Sequence, residues 1–118
     1  MAIPGPLEDD LAKIGGIEGL KDLIPDDGAL ETLSARFKAL ADPMRLKILL
    51  LLAPGPFCVC VIREVLGIAD SRLSYHLNVL KKAGLIAGEQ QGTWIIYSLT
   101  DEGEEFAARL AGAGHGRA

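Results

Sequence analysis

Cysteine is nearly absent from the 118 residues: there are two, Cys58 and Cys60. A pair so close in sequence cannot staple a secreted mini-domain, so their chemistry points to metal or redox work. Long apolar runs are missing as well. None exceeds six residues, the length of Ile48 to Ala53, which Pro54 closes, against the roughly 20 that a membrane helix needs. The start, Met1 to Asp10, has neither the basic residues nor the apolar stretch of a signal peptide, which predicts a cytoplasmic protein with no membrane partner. Disorder over the whole chain is excluded by 49% hydrophobic and 24% charged residues, and the length predicts one compact domain.

The net charge of −4 argues against an indiscriminate nucleic-acid binder, but the charges are unevenly placed. Residues 1–35 hold two lysines against eight carboxylates, and the last twenty hold two arginines against four. Residues 36–98 hold eight Lys or Arg against Asp42, Glu64, Asp70 and Glu89, a local excess of +4. A basic middle between acidic ends is the footprint of a polyanion partner.

Leu7, Leu11, Ile14, Ile17, Leu20 and Ile24 recur every three to four residues, the period of one helix face. Gly15-Gly16 interrupts them, which predicts two short helices or one kinked helix ending at Pro25-Asp26-Asp27-Gly28. A helix over Ala29 to Ala41 follows, with Leu30, Leu33, Phe37 and Leu40 as its inner stripe, stopped by Asp42-Pro43. The next, Met44 to about Leu52, is apolar nearly all round and reads as the centre of a core. Phe57 to Leu66 forms a short helix ended by Gly67. Asp70-Ser71 caps another, Arg72 to Ala83, closed by Gly84. The period then becomes strand-like, with a hairpin turning at Gln91-Gly92 and a second strand over Thr93 to Leu99. Thr100-Asp101-Glu102 caps a last helix through about Ala111. These elements divide the chain into a helical extension, 1–28, a body, 29–111, and a Gly-rich tail, 112–118, expected to fray.

Two helices joined by a tight turn and followed by a hairpin make a mainly α fold with a small β-hairpin, the winged helix-turn-helix, whose second helix enters the major groove. On that helix Leu73, Leu77 and Leu80 share the inner stripe. Ser71, Arg72, Ser74, Tyr75, Asn78 and Lys82 lie mainly elsewhere and are the candidates for contact with double-stranded DNA. Arg72 and Asn78 can bond two base-edge atoms at once, while Ser, Tyr and Lys suit phosphates or single contacts. At the wing tip, Gln91 and Thr93 offer weak, neutral backbone contacts. Trp94 and Tyr97 are expected to pack within the hairpin.

From Phe37 to Gly103 the chain resembles the ArsR–SmtB family of metal-responsive winged-helix repressors. The resemblance rests on Phe37-Lys38-Ala39-Leu40-Ala41-Asp42-Pro43-Met44-Arg45-Leu46-Lys47-Ile48-Leu49, Cys58-Val59-Cys60, Ser74-Tyr75-His76-Leu77, Leu80-Lys81-Lys82-Ala83-Gly84-Leu85-Ile86 and Gly92-Thr93-Trp94-Ile95-Ile96-Tyr97. It implies a homodimer that represses from an operator and leaves when a thiophilic metal or metalloid binds, with no permanent cofactor and no enzymatic activity. It also implies that Cys58 and Cys60 match the metal-ligating pair which, in arsenic and cadmium/lead sensors, opens the helix before the recognition helix. The inducer read from this match is As(III), with Sb(III), Cd(II), Cu(I) and oxidant as the other candidates. Positions two apart on a helix point to nearly opposite sides, so ion capture is expected to unwind the first turn.

The chain departs from the family in several places. Arg63 stands where one type of arsenic sensor has its third cysteine, so a small thiol, hydroxide or water must complete a trigonal site. Residues 1–57 lack the extra cysteines of cadmium/lead sensors, and the last helix has no His before His115 for the family's zinc site. His76 lies on the inner stripe and is expected to pack or hydrogen-bond. A rival reading keeps the repressor and makes Cys58 and Cys60 a thiol–disulfide switch. A thiol–disulfide enzyme is disfavoured for want of a βαβ context, and a winged helix used only for protein contacts is the remaining alternative.

Overall fold

The computed structural model describes residues 3–114, which divide into two compact units between Glu31 and Thr32, inside a helix. In the first unit, α1 (Gly5–Lys13) and α2 (Gly16–Asp22) are separated at Gly15 and Gly16, whose φ of 90° and 72° only glycine adopts without strain. The two-piece reading of this segment therefore holds. α3 (Asp27–Leu40) starts two residues earlier than expected because the Asp26 carboxylate accepts the Ala29 N–H at 2.8 Å. Neither α1 nor α2 contains a buried residue, and Leu7, Ile14, Ile17, Leu20, Leu23 and Ile24 are all exposed.

In the second unit, α4 (Pro43–Leu51) begins at Asp42, an extended N-cap whose carboxylate accepts the Arg45 N–H at 3.1 Å. Pro43 fits the first turn because that position has no intrahelical hydrogen bond to lose. Ile48 and Leu49 are fully buried, which confirms α4 as the centre of the core. β1 (Phe57–Cys58) leads directly into α5 (Val59–Leu66), where a helix from Phe57 was expected. These two residues carry no period of their own. They become a strand only by pairing with β3 (Trp94–Leu99), Phe57 opposite Tyr97 and Cys58 opposite Ile96.

α6 (Asp70–Lys82) is capped by Ala69, not by Asp70-Ser71; Asp70 is the first helical residue, and its carboxylate meets Arg63 instead of a backbone N–H. β2 (Ile86–Gln91) pairs with β3 from Ile86–Leu99 to Gln91–Trp94, so the sheet runs β1-β3-β2, entirely antiparallel. The two-residue turn is Gly92-Thr93, one position beyond the expected one, with Gly92 at φ 61°. α7 (Asp101–Gly114) runs three residues past its expected end, and residues 115–118, His115 among them, lie outside the described part.

The core gathers Ile48 and Leu49 from α4 with Leu52 just past its end, Ile62 from α5, Leu73, Leu77 and Leu80 from α6, Leu85 just before β2, and Ile86 and Tyr97 from the sheet. Each large apolar side chain so buried contributes about 1.5–3 kcal/mol. Of the expected α3 stripe, only Leu40 is buried; Leu33 and Phe37 are exposed, although Phe37 meets the Phe106 ring edge-on at 5.5 Å. No helix among the described residues is long and apolar enough to cross a membrane.

Candidate functional site

α5 and α6 are joined by three residues, 67–69. Gly67 makes this possible: at φ 63° it ends α5, and its N–H reaches the Arg63 carbonyl at 2.8 Å. On α6, Leu73, His76, Leu77 and Leu80 are buried, while Ser71, Arg72, Ser74, Tyr75, Asn78 and Lys82 are all exposed. At 3.6 residues per turn, Ser71, Ser74, Tyr75, Asn78 and Lys82 share one face and Arg72 flanks it. The structure thus assembles these candidates on one outer surface, and Gln91, at the end of β2, and Thr93, in the turn of the hairpin, stand exposed. Tyr97 packs in the core as expected. Trp94 does not: it is 53% exposed, at the outer end of the two-stranded part of the hairpin.

His76 takes the hydrogen-bonding role. It is 6% exposed, and its Nδ1 lies 3.1 Å from Arg45 Nη1 and 3.9 Å from Asp42 Oδ2. A guanidinium only donates, so Nδ1 accepts. Arg45 Nε also donates to the Ala39 carbonyl. The Arg45 backbone N–H holds the Asp42 carboxyl below the usual carboxylate range, and the charge of Arg45 adds to this. Asp42 and Arg45 therefore tie α6 to the α3–α4 junction. Sequence reasoning read Asp42 only as a helix stop; its partner, Arg45, becomes visible only when α4 and α6 are packed.

Cys58 ends β1 and is the N-cap of α5, with φ −65° and ψ 150°; its sulfur accepts the Cys60 N–H at 3.1 Å. Cys60 lies in the first turn. Because Cys58 is still extended, the two side chains converge, and their sulfurs are joined as a disulfide with Cα atoms 5.2 Å apart. The expected unwinding of the first turn is therefore not needed. The helix boundary falls between the two cysteines, and the pair faces one point in the folded chain. Arg63 is turned away to Asp70, 3.1 Å distant. Among the described residues no cluster of three or more His, Cys, Asp or Glu side chains could hold a metal ion.

Residues 42–87 match the family model for bacterial regulatory proteins of the arsR family. The arsenical resistance operon repressor of Bacillus subtilis is 48% identical over 68 residues, which are 57% of this chain and 65% of that protein. The chain thus spans just under two thirds of that relative. An uncharacterised HTH-type transcriptional regulator of Methanocaldococcus jannaschii is 48% identical over 67 residues, 56% of this chain and 75% of that one. Among solved structures, the homodimeric winged helix-turn-helix DNA-binding domain of a possible ArsR-family transcriptional regulator from Mycobacterium bovis superimposes with a TM-score of 0.69 at 29% identity, covering 76% of this chain and 87% of that one. With the helix-turn-helix, the wing and these likenesses in agreement, the chain belongs to the arsR family of bacterial regulatory proteins and has its winged helix-turn-helix fold.

Proposed function

We propose that this protein is a homodimeric, cytoplasmic transcriptional repressor that binds double-stranded operator DNA through the outer face of α6 and is released when As(III) binds Cys58 and Cys60. The observation that carries the reading is the position of Cys58, at once the last residue of β1, paired with the wing strand β3, and the N-cap of α5. A ligand held there touches both the wing and the helix that feeds, through three residues, into α6. The convergent side chains fit a two-point ligand once reduced. Two thiols displace two hydroxides of arsenous acid as water, leaving the third hydroxide on arsenic, in place of the third sulfur that Arg63 does not supply. The similarity to an arsenical resistance repressor supports this choice of inducer.

The disulfide supports a second reading, in which an oxidant removes two electrons and two protons from the pair and the bond itself is the release signal. One experiment separates the two. Operator dissociation is measured anaerobically under a phosphine reductant, with arsenite added. Release of wild type, together with operator binding but no release for Cys58→Ser and Cys60→Ser, is expected, since one thiolate gives too little differential affinity to shift the population. Wild type that stays bound there but leaves on mild oxidation establishes the disulfide switch. If both serine variants still respond to arsenite, neither account of the cysteines stands.

A further inference from the structure

A cleft of about 390 Å³ lies where α3, α4 and α6 meet. Its floor is apolar: Ala35 and Ala39 on one side, Val79 and Ala83 on the other. Three cationic side chains, Lys38, Arg45 and Lys82, border it mainly through their apolar stems, with their charges toward the rim, and no carboxylate among the described residues lines it. Asp42, the nearby acid, is committed to capping α4. Lys38 and Lys82 are exposed and have no ion-pair partner among the described residues. Arg45 is half-buried, fixed by the Ala39 carbonyl through Nε and by His76 through Nη1, and this leaves Nη2 available for a ligand. A guanidinium already oriented by two partners loses little freedom on meeting a planar or tetrahedral anion.

From this combination we infer that the cleft binds a small organic anion, an aromatic or branched-chain carboxylate or phosphate monoester, with its apolar body on the alanine and valine floor and its charge among Lys38, Arg45 and Lys82. The volume is in the range of small-molecule sites. A bare inorganic anion would leave the apolar floor uncovered, and a neutral molecule would leave three cations unmatched. The site is also separate from the cysteines, which lie on β1 and α5. Ala35 and Ala39 are on the side of α3 opposite Leu33 and Phe37, so a partner covering that exposed stripe leaves the cleft open. Lys82 stands roughly 16 Å along α6 from Ser71. Where Lys82 also meets operator phosphate, ligand and DNA compete for it. That consequence rests on the DNA-binding reading; the binding itself does not.

The test is a titration of the full-length reduced protein, followed by amide chemical shifts, with phenyl phosphate, inorganic phosphate, benzyl alcohol and a short duplex of random sequence as probes. Phenyl phosphate is expected to shift the amides of Ala35, Ala39, Val79 and Ala83 saturably. Inorganic phosphate and benzyl alcohol should each bind about tenfold more weakly or not at all. Lys38→Gln and Lys82→Gln should each weaken phenyl phosphate up to about fivefold, the scale of one partly exposed charge contact. Ala35→Leu, which fills the floor at a tolerant helical position, should abolish binding while leaving the fold intact. Equal affinity for phenyl and inorganic phosphate would overturn the proposal and leave a cation cluster alone. Shifts of these amides by the duplex but not by phenyl phosphate would overturn it too, because the cleft is then part of the DNA surface. Absence of saturable shifts, or affinity unchanged in the two lysine variants, also overturns it.

Discussion

Gly103→Ala and Gly112→Ala each add one methyl group to α7, and the structure gives them opposite signs. Gly103 is buried, and a Cβ there would drive into the Leu85 carbonyl oxygen and stand 3.1 Å from its carbonyl carbon. Both atoms are backbone, so no rotamer change relieves the clash. Relief requires α7 to move off the α6–β2 junction, where the Thr100 N–H meets the Leu85 carbonyl at 3.1 Å. There Thr100 Oγ1 also donates to the Gly84 carbonyl at 2.6 Å and accepts the Gly103 N–H at 3.1 Å. Overpacking costs about 1–3 kcal/mol and a weakened hydrogen bond up to about 1 kcal/mol. The better helix propensity of alanine offsets about 1 kcal/mol. Gly103→Ala should therefore destabilise by about 2 kcal/mol. Gly112 is helical and exposed with nothing within 4 Å of its Cβ, so Gly112→Ala should stabilise by about 0.5–1 kcal/mol. At about 4 °C per kcal/mol for a chain of this size, Tm should fall by roughly 8 °C in the first and rise by roughly 3 °C in the second. Thermal unfolding followed by far-UV circular dichroism reads both. The protein concentration must be the same for each variant, because the proposed dimerisation would make Tm depend on it. A Gly103→Ala protein as stable as wild type would refute the packing of α7 against Leu85.

Arg72→Ala and Asn78→Ala should each weaken specific operator binding by about 1–3 kcal/mol and relax preference at one position per half-site. Lys82→Ala should weaken all sequences alike, so equal losses on specific and random DNA for all three variants would refute the division of roles. A dimer predicts inverted half-sites about one helical turn apart, and a footprint with one unsymmetrical half-site would count against it. Asp42→Ala removes the α4 cap and should cost about 1 kcal/mol at neutral pH. Since the folded carboxyl is held below its ordinary range, first by the Arg45 N–H, this stability is present above about pH 4 and lost as pH falls through the lowered folded value. Urea midpoints of wild type and variant should converge in acid, and a gap that persists there would show that the charge of Asp42 contributes nothing.

The helices were legible in the sequence because their signals are local. Apolar residues at three- to four-residue spacing, Gly67 and Gly84 past helix ends and Pro43 in a first turn act within a few residues of backbone, and each of these helices formed within a few residues of its expected bounds. The inner and outer faces of α6 followed from the same period. What tertiary structure decided involved groups far apart in the chain. Phe57-Cys58 becomes a strand only because Tyr97 and Ile96 come to lie opposite, and that pairing moves the start of α5 past Cys58. Spacing alone placed the two sulfurs on opposite sides of a helix; the strand-to-helix boundary between them brings them together. Arg45 and His76, 31 residues apart, meet because α4 and α6 share one core. The exposure of Leu33 and Phe37 was equally unreadable, since an apolar stripe records that a surface is to be covered and carries no information about which surface covers it.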